Sequence, residues 1–116
     1  MKLPSESELL RVFVGASDKY KGKPLYEAIV LLAREKGLAG ATVLKGVMGF
    51  GANSRIHTSK VLRLSEDLPV VIEIVDKPER IQSILPDLEA MIQEGLVTLE
   101  PVRVIVYRHS PRPLED

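Results

Sequence analysis

Residues 37–60 read GLAGATVLKGVMGFGANSRIHTSK, a strand-like run that breaks into a glycine-rich, basic segment. The first half contains apolar and β-branched residues, whereas the second half lacks the apolar spacing of an amphipathic helix. Loops of more than about 12–15 residues without secondary structure are uncommon in compact domains and tend to carry binding or regulation. The stretch therefore predicts a strand followed by a long functional loop, which we place at residues 49–64.

A first amphipathic helix precedes this stretch and is predicted over residues 24–36. Pro24 suits the first turn of a helix, because its missing N–H would have no intrahelical partner there. Gly37 suits the position just beyond the end of a helix. The apolar residues of this helix recur at the spacing of one helical face, at Leu25, Ala28, Ile29, Leu32 and Ala33.

A second helix is predicted beyond residue 76, ending before Gly95. Asp76 and Glu79 resemble a capping pair at its start. Pro86 falls inside the helical pattern, so we expect the helix to be kinked or split there. The apolar residues that set the pattern are Ile81, Ile84, Leu85, Leu88 and Ile92.

Four apolar segments predict strands, at residues 9–14, 40–48, 68–75 and 96–107. The last strand is expected to break or bend at Pro101. Gly46 predicts a bulge or a close backbone approach, and Pro69 fits only the start of a strand or a sheet edge. Glu73 interrupts an apolar strand and therefore predicts a Lys or Arg partner on a neighbouring strand or subunit.

The order of these elements matches the ferredoxin-like βαββαβ plan, an α+β sandwich whose two helices cover one face of an antiparallel sheet. Residues 1–116 are predicted to form a single domain, with 1–8 and 110–116 as loose tails. The other face of the sheet is left without a helix, although VVIEIV and VRVIVY are strongly apolar. A second copy of the chain is the expected cover for that face.

Composition excludes several classes of function. Lys plus Arg and Asp plus Glu number 16 each, which argues against a nucleic-acid binder driven by bulk phosphate attraction. No cysteine occurs, so disulfides, thiolate metal sites and Cys nucleophiles are excluded. No segment approaches the roughly 20 apolar residues of a membrane span, and no signal core opens the chain. We expect a cytoplasmic protein without direct membrane insertion.

The stretch GLAGATVLKGVMGFG resembles the signature of PII-like signalling proteins, in which a G-x-x-G-x-T-V strand leads into a G-F-G that opens the long T-loop. LPVVIEIV and VRVIVYR resemble the family's strand after that loop and its closing strand. DKYKGKPLYEAIV, at residues 18–30, is similar to a PII-like subfamily known as a domain of unknown function. Together the resemblance covers most of residues 9–108.

This resemblance implies a homotrimer whose sheets face one another around a threefold axis. It also implies that an adenine nucleotide (AMP, ADP or ATP) binds in the cleft between neighbouring subunits and sets the conformation of the T-loop. The loop at residues 49–64 would then dock on a partner protein, a transporter, channel or enzyme. The implied function is regulatory signalling, and no catalytic residue is implied.

Several nucleotide-binding positions carry over by pattern. Thr42 corresponds to the family's strand threonine near the adenine, and Val75 corresponds to an apolar residue that lines the base. Arg108 corresponds to a phosphate-binding arginine of the last strand. The root of the T-loop, whose backbone approaches the ligand, corresponds to Gly49, Phe50 and Gly51.

The loop itself offers further candidates, since flexible basic residues can contact phosphate or present charge to a partner. These candidates are Arg55, His57 and Lys60.

Two departures from the family pattern affect the phosphate site. The family's T-G-x-x-G-D-G-K turn is replaced by QEGL at residues 93–96, and a neighbouring arginine falls on Val106. With fewer phosphate contacts, a mono- or diphosphate or another adenosine-containing ligand is expected to bind at least as well as a triphosphate. The lysines of the first loop are candidates for compensating charge, at positions Lys19, Lys21 and Lys23.

A different reading remains open from the residues alone. Gly49 and Gly51 also fit a simple hairpin turn. The alternative function is a small enzyme or a metal- or anion-binding protein with Asp18, Lys23 and His57 near a subunit cleft. The ferredoxin-like plan hosts both functions. The absence of a convincing acid–base or nucleophile–base pair favours the regulatory reading, and no metal site is expected.

Overall fold

The computed structural model describes residues 5–51 and 68–109. In chain order the elements are β1 (Glu6–Gly15), β2 (Lys19–Tyr20), β3 (Lys23–Pro24), α1 (Leu25–Glu35), β4 (Thr42–Lys45), β5 (Pro69–Asp76), α2 (Pro78–Met91) and β6 (Leu96–Arg103).

One antiparallel sheet has the strand order β4-β5-β1-β6, with β1 and β5 at its centre. The connection from β1 to β4 contains α1, and the connection from β5 to β6 contains α2. Both helices pack against the same face of the sheet, which we call the helix face. The opposite face we call the open face. The predicted α+β, ferredoxin-like architecture is confirmed.

The core lies between the helix face and the two helices. Along β5, and from Leu10 to Val14 of β1, every second side chain is buried, as expected for strands covered on one side. Each helix contributes the stripe that its apolar spacing predicts. The buried apolar residues are Leu10, Val12, Val14, Leu25, Ile29, Ala33, Val70, Ile72, Ile74, Ile81, Ile84 and Leu88.

β4 is shorter than predicted, because Pro69 ends its ladder. The N–H of Gly46 donates to the Pro69 carbonyl at 2.7 Å, but Pro69 has no N–H to return. Pro69 is the first residue of β5, as expected. A Cβ at Gly46 would lie 2.7 Å from Pro69 Cγ, so the predicted close approach at Gly46 is confirmed.

β6 ends at Arg103, earlier than predicted, and it runs without interruption through Pro101. Pro101 is tolerated because β6 is the edge strand of the sheet. Arg103 pairs with Glu6, the first residue of β1. Residues after Arg103 therefore have almost no β1 residue left to pair with. Residues 104–109 therefore leave the sheet after the Val104 N–H donates to the Ser5 carbonyl at 2.7 Å.

α1 begins at Leu25 with Pro24 as its N-cap, one residue later than predicted. Its end is a Schellman motif: the Gly37 N–H donates to the Arg34 carbonyl at 3.1 Å and the Leu38 N–H to the Ala33 carbonyl at 3.0 Å. Gly37 has a φ of 75°, the left-handed conformation that this motif requires.

α2 is a single helix, so of the predicted kink or split at Pro86 the split is wrong. Pro86 lies on the exposed side of α2, where water can satisfy the carbonyl that lacks a helical donor. The predicted capping pair is also wrong. Asp76 is the last residue of β5, Lys77 is the N-cap, and Pro78 opens the helix.

Two further features differ from the sequence prediction. β1 begins at Glu6, so residues 6–8 belong to the sheet and not to a loose tail. The β2–β3 hairpin was not predicted. Its turn residues Lys21 and Gly22 have φ values of 50° and 83°, the two positive values that a two-residue type I′ turn needs.

Candidate ligand-binding site

A charged network occupies the centre of the open face. Arg11 Nε donates to Glu73 Oε2 at 3.0 Å, and Arg11 Nη1 donates to Glu100 Oε1 at 3.0 Å. The hydrogen bond that Arg11 donates to Glu73 is the main reason that the pKa of Arg11 is raised above its ordinary value. Arg11 lies directly across from Glu73 on the neighbouring strand, so the predicted cationic partner of Glu73 is confirmed.

A cavity of about 330 Å³ lies on this face, where β4 begins and β5 ends. Its lining comes from three parts of the chain. The turn between α1 and β4 contributes residues 39–41, the strands contribute Thr42, Glu73 and Val75, and the segment after β6 contributes Val104, Val106 and Tyr107. We call this cavity the sheet-face cleft.

The chemistry of the sheet-face cleft fits a small organic ligand with a planar, partly polar surface. Val75, Val104 and Val106 provide apolar contacts, and the Tyr107 ring adds an aromatic surface. Thr42 and Glu73 supply a hydroxyl group and a carboxylate. Apolar walls with a few polar groups are typical of small-molecule sites.

The turn between α1 and β4 is held in place by α2 and by the end of β5. The Arg80 guanidinium donates to the Gly37 carbonyl. The Ala39 N–H donates to Asp76 Oδ2 at 2.9 Å. Since residues 39–41 line the cleft, these contacts fix one of its walls.

The structure brings two of the predicted nucleotide-binding residues together. Thr42 pairs with Glu73 across β4 and β5, and Val75 follows two residues further along the same face of β5. Both Thr42 and Val75 line the sheet-face cleft.

The predicted T-loop root lies elsewhere. A Cβ at Gly49 would be 2.9 Å from Pro69 Cγ, and Pro69 is at the opposite end of β5 from Val75. Phe50 is 66% exposed. Gly49, Phe50 and Gly51 therefore lie outside the residues that line this cleft.

Arg108 is exposed and follows Tyr107, the last residue that lines the cleft. The rings of Tyr107 and His109, on either side of Arg108, lie with their centroids 6.1 Å apart. Arg108 is thus placed at the border of the cleft by the chain, without being part of its lining.

The lysines of the first loop lie on the helix side of the molecule. Lys21 lines two adjoining cavities of about 360 and 450 Å³, each bordered by Tyr20 and by Ala90 and Met91 of α2. Lys23 lines the smaller cavity and Lys19 the larger. Within this protomer, none of the three lysines lines the sheet-face cleft.

Asp18 has a structural role in this loop. Its Oδ2 accepts a hydrogen bond from the Gly15 N–H at 2.9 Å, and its carbonyl accepts one from the Leu25 N–H at 2.8 Å. The carboxylate thus closes the turn between β1 and the hairpin, which is the local role expected of Asp in turns.

The loop candidates Arg55, His57 and Lys60 lie outside the described residues, as does most of the predicted 49–64 loop. Among residues 5–51 and 68–109, no group of three or more His, Asp or Glu side chains is arranged to hold a metal ion. In the same part of the chain, no helix is long and apolar enough to cross a membrane.

Sequence reasoning missed part of the cleft. The sequence predicts Val104, Val106 and Tyr107 in the last strand and Gly40 and Ala41 in the second, and it assigns Ala39 to no element. The signal that identifies these residues is the strand register. A strand that ends opposite the start of β1 leaves the sheet close to the end of β5, because β5 also ends there. That register becomes known only when the strands are paired.

Residues 7–104 match the profile of the DUF190 family, described as "Uncharacterized ACR, COG1993". A UPF0166 protein of Aquifex aeolicus is 39% identical over 100 residues, which cover 86% of this chain and 94% of that protein. A UPF0166 protein of Methanocaldococcus jannaschii is 34% identical over 100 residues, covering 85% and 92% of the two chains.

Two solved structures of CPII from Thiomonas intermedia K12 share the fold. The structure bound to ADP, AMP and acetate has a TM-score of 0.55 at 18% identity and covers 90% of this chain and 92% of that one. The structure bound to ADP and bicarbonate has a TM-score of 0.54 at 19% identity, with 85% and 88% coverage. These likenesses establish a PII-like fold.

Proposed function

The chain belongs to the DUF190 family, and on that premise we propose that it is a PII-like regulatory protein that binds an adenine nucleotide. The ligand lies in the sheet-face cleft, which a neighbouring copy of the chain completes. Binding sets the conformation of the 49–64 loop, and the loop signals to a partner protein. The protein acts by binding and not by turnover.

The observation that carries this proposal is the convergence of Thr42 and Val75 in one cleft. These two residues were chosen from the sequence as the adenine contacts, and they come from strands separated by the long loop. A solved structure of CPII, which shares the fold, is bound to ADP, AMP and acetate. An adenine ring suits the cleft, because Val75, Val106 and Tyr107 offer apolar and aromatic surface.

Phosphate recognition falls to residues at the border of the cleft. Arg108 offers a planar set of donors that suits phosphate oxygens. Val106 lines the cleft at a position where the PII-like pattern has an arginine, so the site has fewer phosphate contacts than that pattern. We therefore expect ADP and AMP to bind at least as tightly as ATP.

Two exposed surfaces support the proposed homotrimer. The open face carries no helix, and the edge strand β6 exposes Leu96, Val97 and Leu99. Beyond β6, Ile105 is 81% exposed. An apolar edge strand left bare would pair with other chains, so that a specific partner copy is the natural cover. In this arrangement each cleft gains residues from its neighbour.

Signalling requires a segment whose conformation depends on the ligand. At the start of the 49–64 loop Phe50 is exposed, and so are Val47 and Met48 just before it. Such apolar side chains next to a basic loop form a surface that a protein partner can bind. Ligand binding shifts the loop only if its affinity differs between loop conformations.

The test is isothermal titration calorimetry of the purified protein against AMP, ADP, ATP and cyclic di-AMP, with sizing of the same sample. We expect a trimer with one ADP or AMP site per chain. Thr42→Val removes the hydroxyl group from the cleft at constant shape and should weaken ADP binding roughly 2- to 10-fold, as expected for one neutral hydrogen bond.

Thr98→Val is the matched control, because Thr98 lies on the open face of β6, opposite Arg11, and does not line the cleft. It should bind ADP like the wild type. A folded trimer that binds none of the four nucleotides would contradict the proposal.

A further inference from the structure

Asp76 is a buried carboxylate that the proposed ligand site does not contact. It is 0% exposed and lies at the end of β5, on the helix face. Its Oδ2 accepts the Ala39 N–H at 2.9 Å, and its Oδ1 accepts the Lys77 N–H at 2.7 Å. One side chain therefore joins three segments: the turn between α1 and β4, the end of β5 and the start of α2.

The hydrogen bonds of Asp76 connect β5 to one wall of the sheet-face cleft. Val75 lines the cleft on the open face, and Asp76, the next residue, points to the opposite face of the same strand. The carboxylate reaches the backbone of Ala39, which lines the cleft together with Gly40 and Ala41. Asp76 thus links two parts of the cleft lining, residues 39–41 and β5, through the face of the sheet that lies opposite the cleft.

A charged acceptor is well suited to this task. Hydrogen bonds to an ionised carboxylate are shorter and stronger than those between neutral groups. A buried charge also requires partners, so Asp76 holds the turn only while both N–H donors remain in place. The second anchor of the same turn is weaker, because the Arg80 guanidinium that bonds Gly37 is on the exposed side.

We propose that Asp76 is the positioning residue of the ligand cleft: it fixes the backbone of residues 39–41 against β5 so that Thr42 and Val75 face the ligand at the correct separation. This role rests on the proposed function. It explains why an acidic side chain ends a strand whose other helix-face residues, Val70, Ile72 and Ile74, are apolar.

The test compares wild type with Asp76→Asn in two measurements. An asparagine has one acceptor oxygen, so its NH₂ group faces one of the two N–H donors and one bond is lost. Calorimetry with ADP and with adenosine should show both affinities about 10-fold lower, since the wall contacts the nucleoside and not the phosphates. Amide hydrogen exchange by NMR, without ligand, should show faster exchange at Ala39.

Glu8→Gln is the matched control. Glu8 lies directly opposite Asp76 on β1, and its Oε1 is buried without a hydrogen-bond partner among the described residues. This variant removes a neighbouring negative charge but none of the bonds to the turn. It should therefore keep wild-type affinity and wild-type exchange at Ala39. An equal loss of affinity in Glu8→Gln would assign the effect to charge and overturn the positioning role.

Arg80→Met carries the same test if Asp76→Asn does not fold, because it removes the other anchor of the turn. We expect a smaller loss of affinity, equal for ADP and adenosine. Wild-type affinity and exchange in the folded variants would overturn the proposal. A wild-type protein that binds no nucleotide would instead remove the proposed function, while exchange at Ala39 would still decide whether Asp76 holds the turn.

Discussion

The two faces of the central strands carry different chemistry on the same backbone. On β5, Val70, Ile72 and Ile74 are fully buried under the helices, while Val71, Glu73 and Val75 lie half-buried on the open face. Apart from Glu8 and Asp76 at one end, the helix face is an apolar core. The open face combines apolar residues with the network of Arg11, Glu73 and Glu100, and it contains the sheet-face cleft.

Under the proposed function, the helix face serves stability and the open face serves recognition. A face covered by the chain's own helices can exclude water by itself and needs no polar group. A face that waits for a ligand or a second copy must stay compatible with water, so its charges are paired and remain partly exposed. Three predictions test this division.

The largest effect is expected from removing buried methyl groups on the helix face. Val70→Ala should lower the free energy of unfolding by about 2 kcal/mol, from lost burial plus the cavity left behind. Val71→Ala is the matched control, being the same substitution one residue later on the open face. Urea unfolding at low protein concentration should show a much smaller loss for Val71→Ala, and equal losses would mean that both faces are core.

A smaller effect is expected from the charged network on the open face. Arg11→Met leaves Glu73 and Glu100 without their shared counter-charge and should lower the free energy of unfolding by less than Val70→Ala does, since these pairs are partly exposed. The pKa of Arg11 is raised in the folded protein. Its contribution to stability is therefore fully present at every pH below the ordinary pKa of arginine, and it is lost only as the pH rises through the raised pKa.

The measurement is chemical unfolding of Arg11→Met and of the triple variant that also carries Glu73→Gln and Glu100→Gln. The triple variant should recover part of the loss, because it removes the two like charges. A single variant as stable as the wild type would show that the network contributes nothing to the fold of the protomer.

The smallest effect is expected at Glu8, an acidic residue that lies next to Asp76 on the helix face. Glu8 faces Asp76 across the strands, and like charges directly opposite are unfavourable. Glu8→Gln should raise the free energy of unfolding by roughly 0.5 kcal/mol. Glu89→Gln, on the exposed side of α2, is the control and should change little. A clear loss of stability in Glu8→Gln would show that this carboxylate has a favourable partner.

Local sequence patterns were sufficient for the helices and for the two central strands. The apolar spacing at Leu25, Ile29 and Ala33 identified the buried stripe of α1, and Gly37 marked its end. The same reasoning failed at β4 and β6, whose ends depend on what lies opposite. Pro69 stops β4, and the start of β1 stops β6.

The cleft shows the same limit. Thr42 and Val75 were identified from a family resemblance that local residues carry, and the structure places both in one cavity. Local sequence does not assign Tyr107 and Ala39 to the cleft. Tyr107 lies outside the sheet because β6 ends opposite the start of β1, and Ala39 is held in position by its hydrogen bond to Asp76.

The sequence by itself determined the order of elements, the buried stripes and the ferredoxin-like plan, because propensity and periodicity act within a few residues of the chain. Only the tertiary structure decided the strand ends, the contact between Arg11 and Glu73 and the shape of the cleft. The contact between Arg11 and Glu73 alone joins residues 62 positions apart, and the register that brings such residues together is set by the whole sheet.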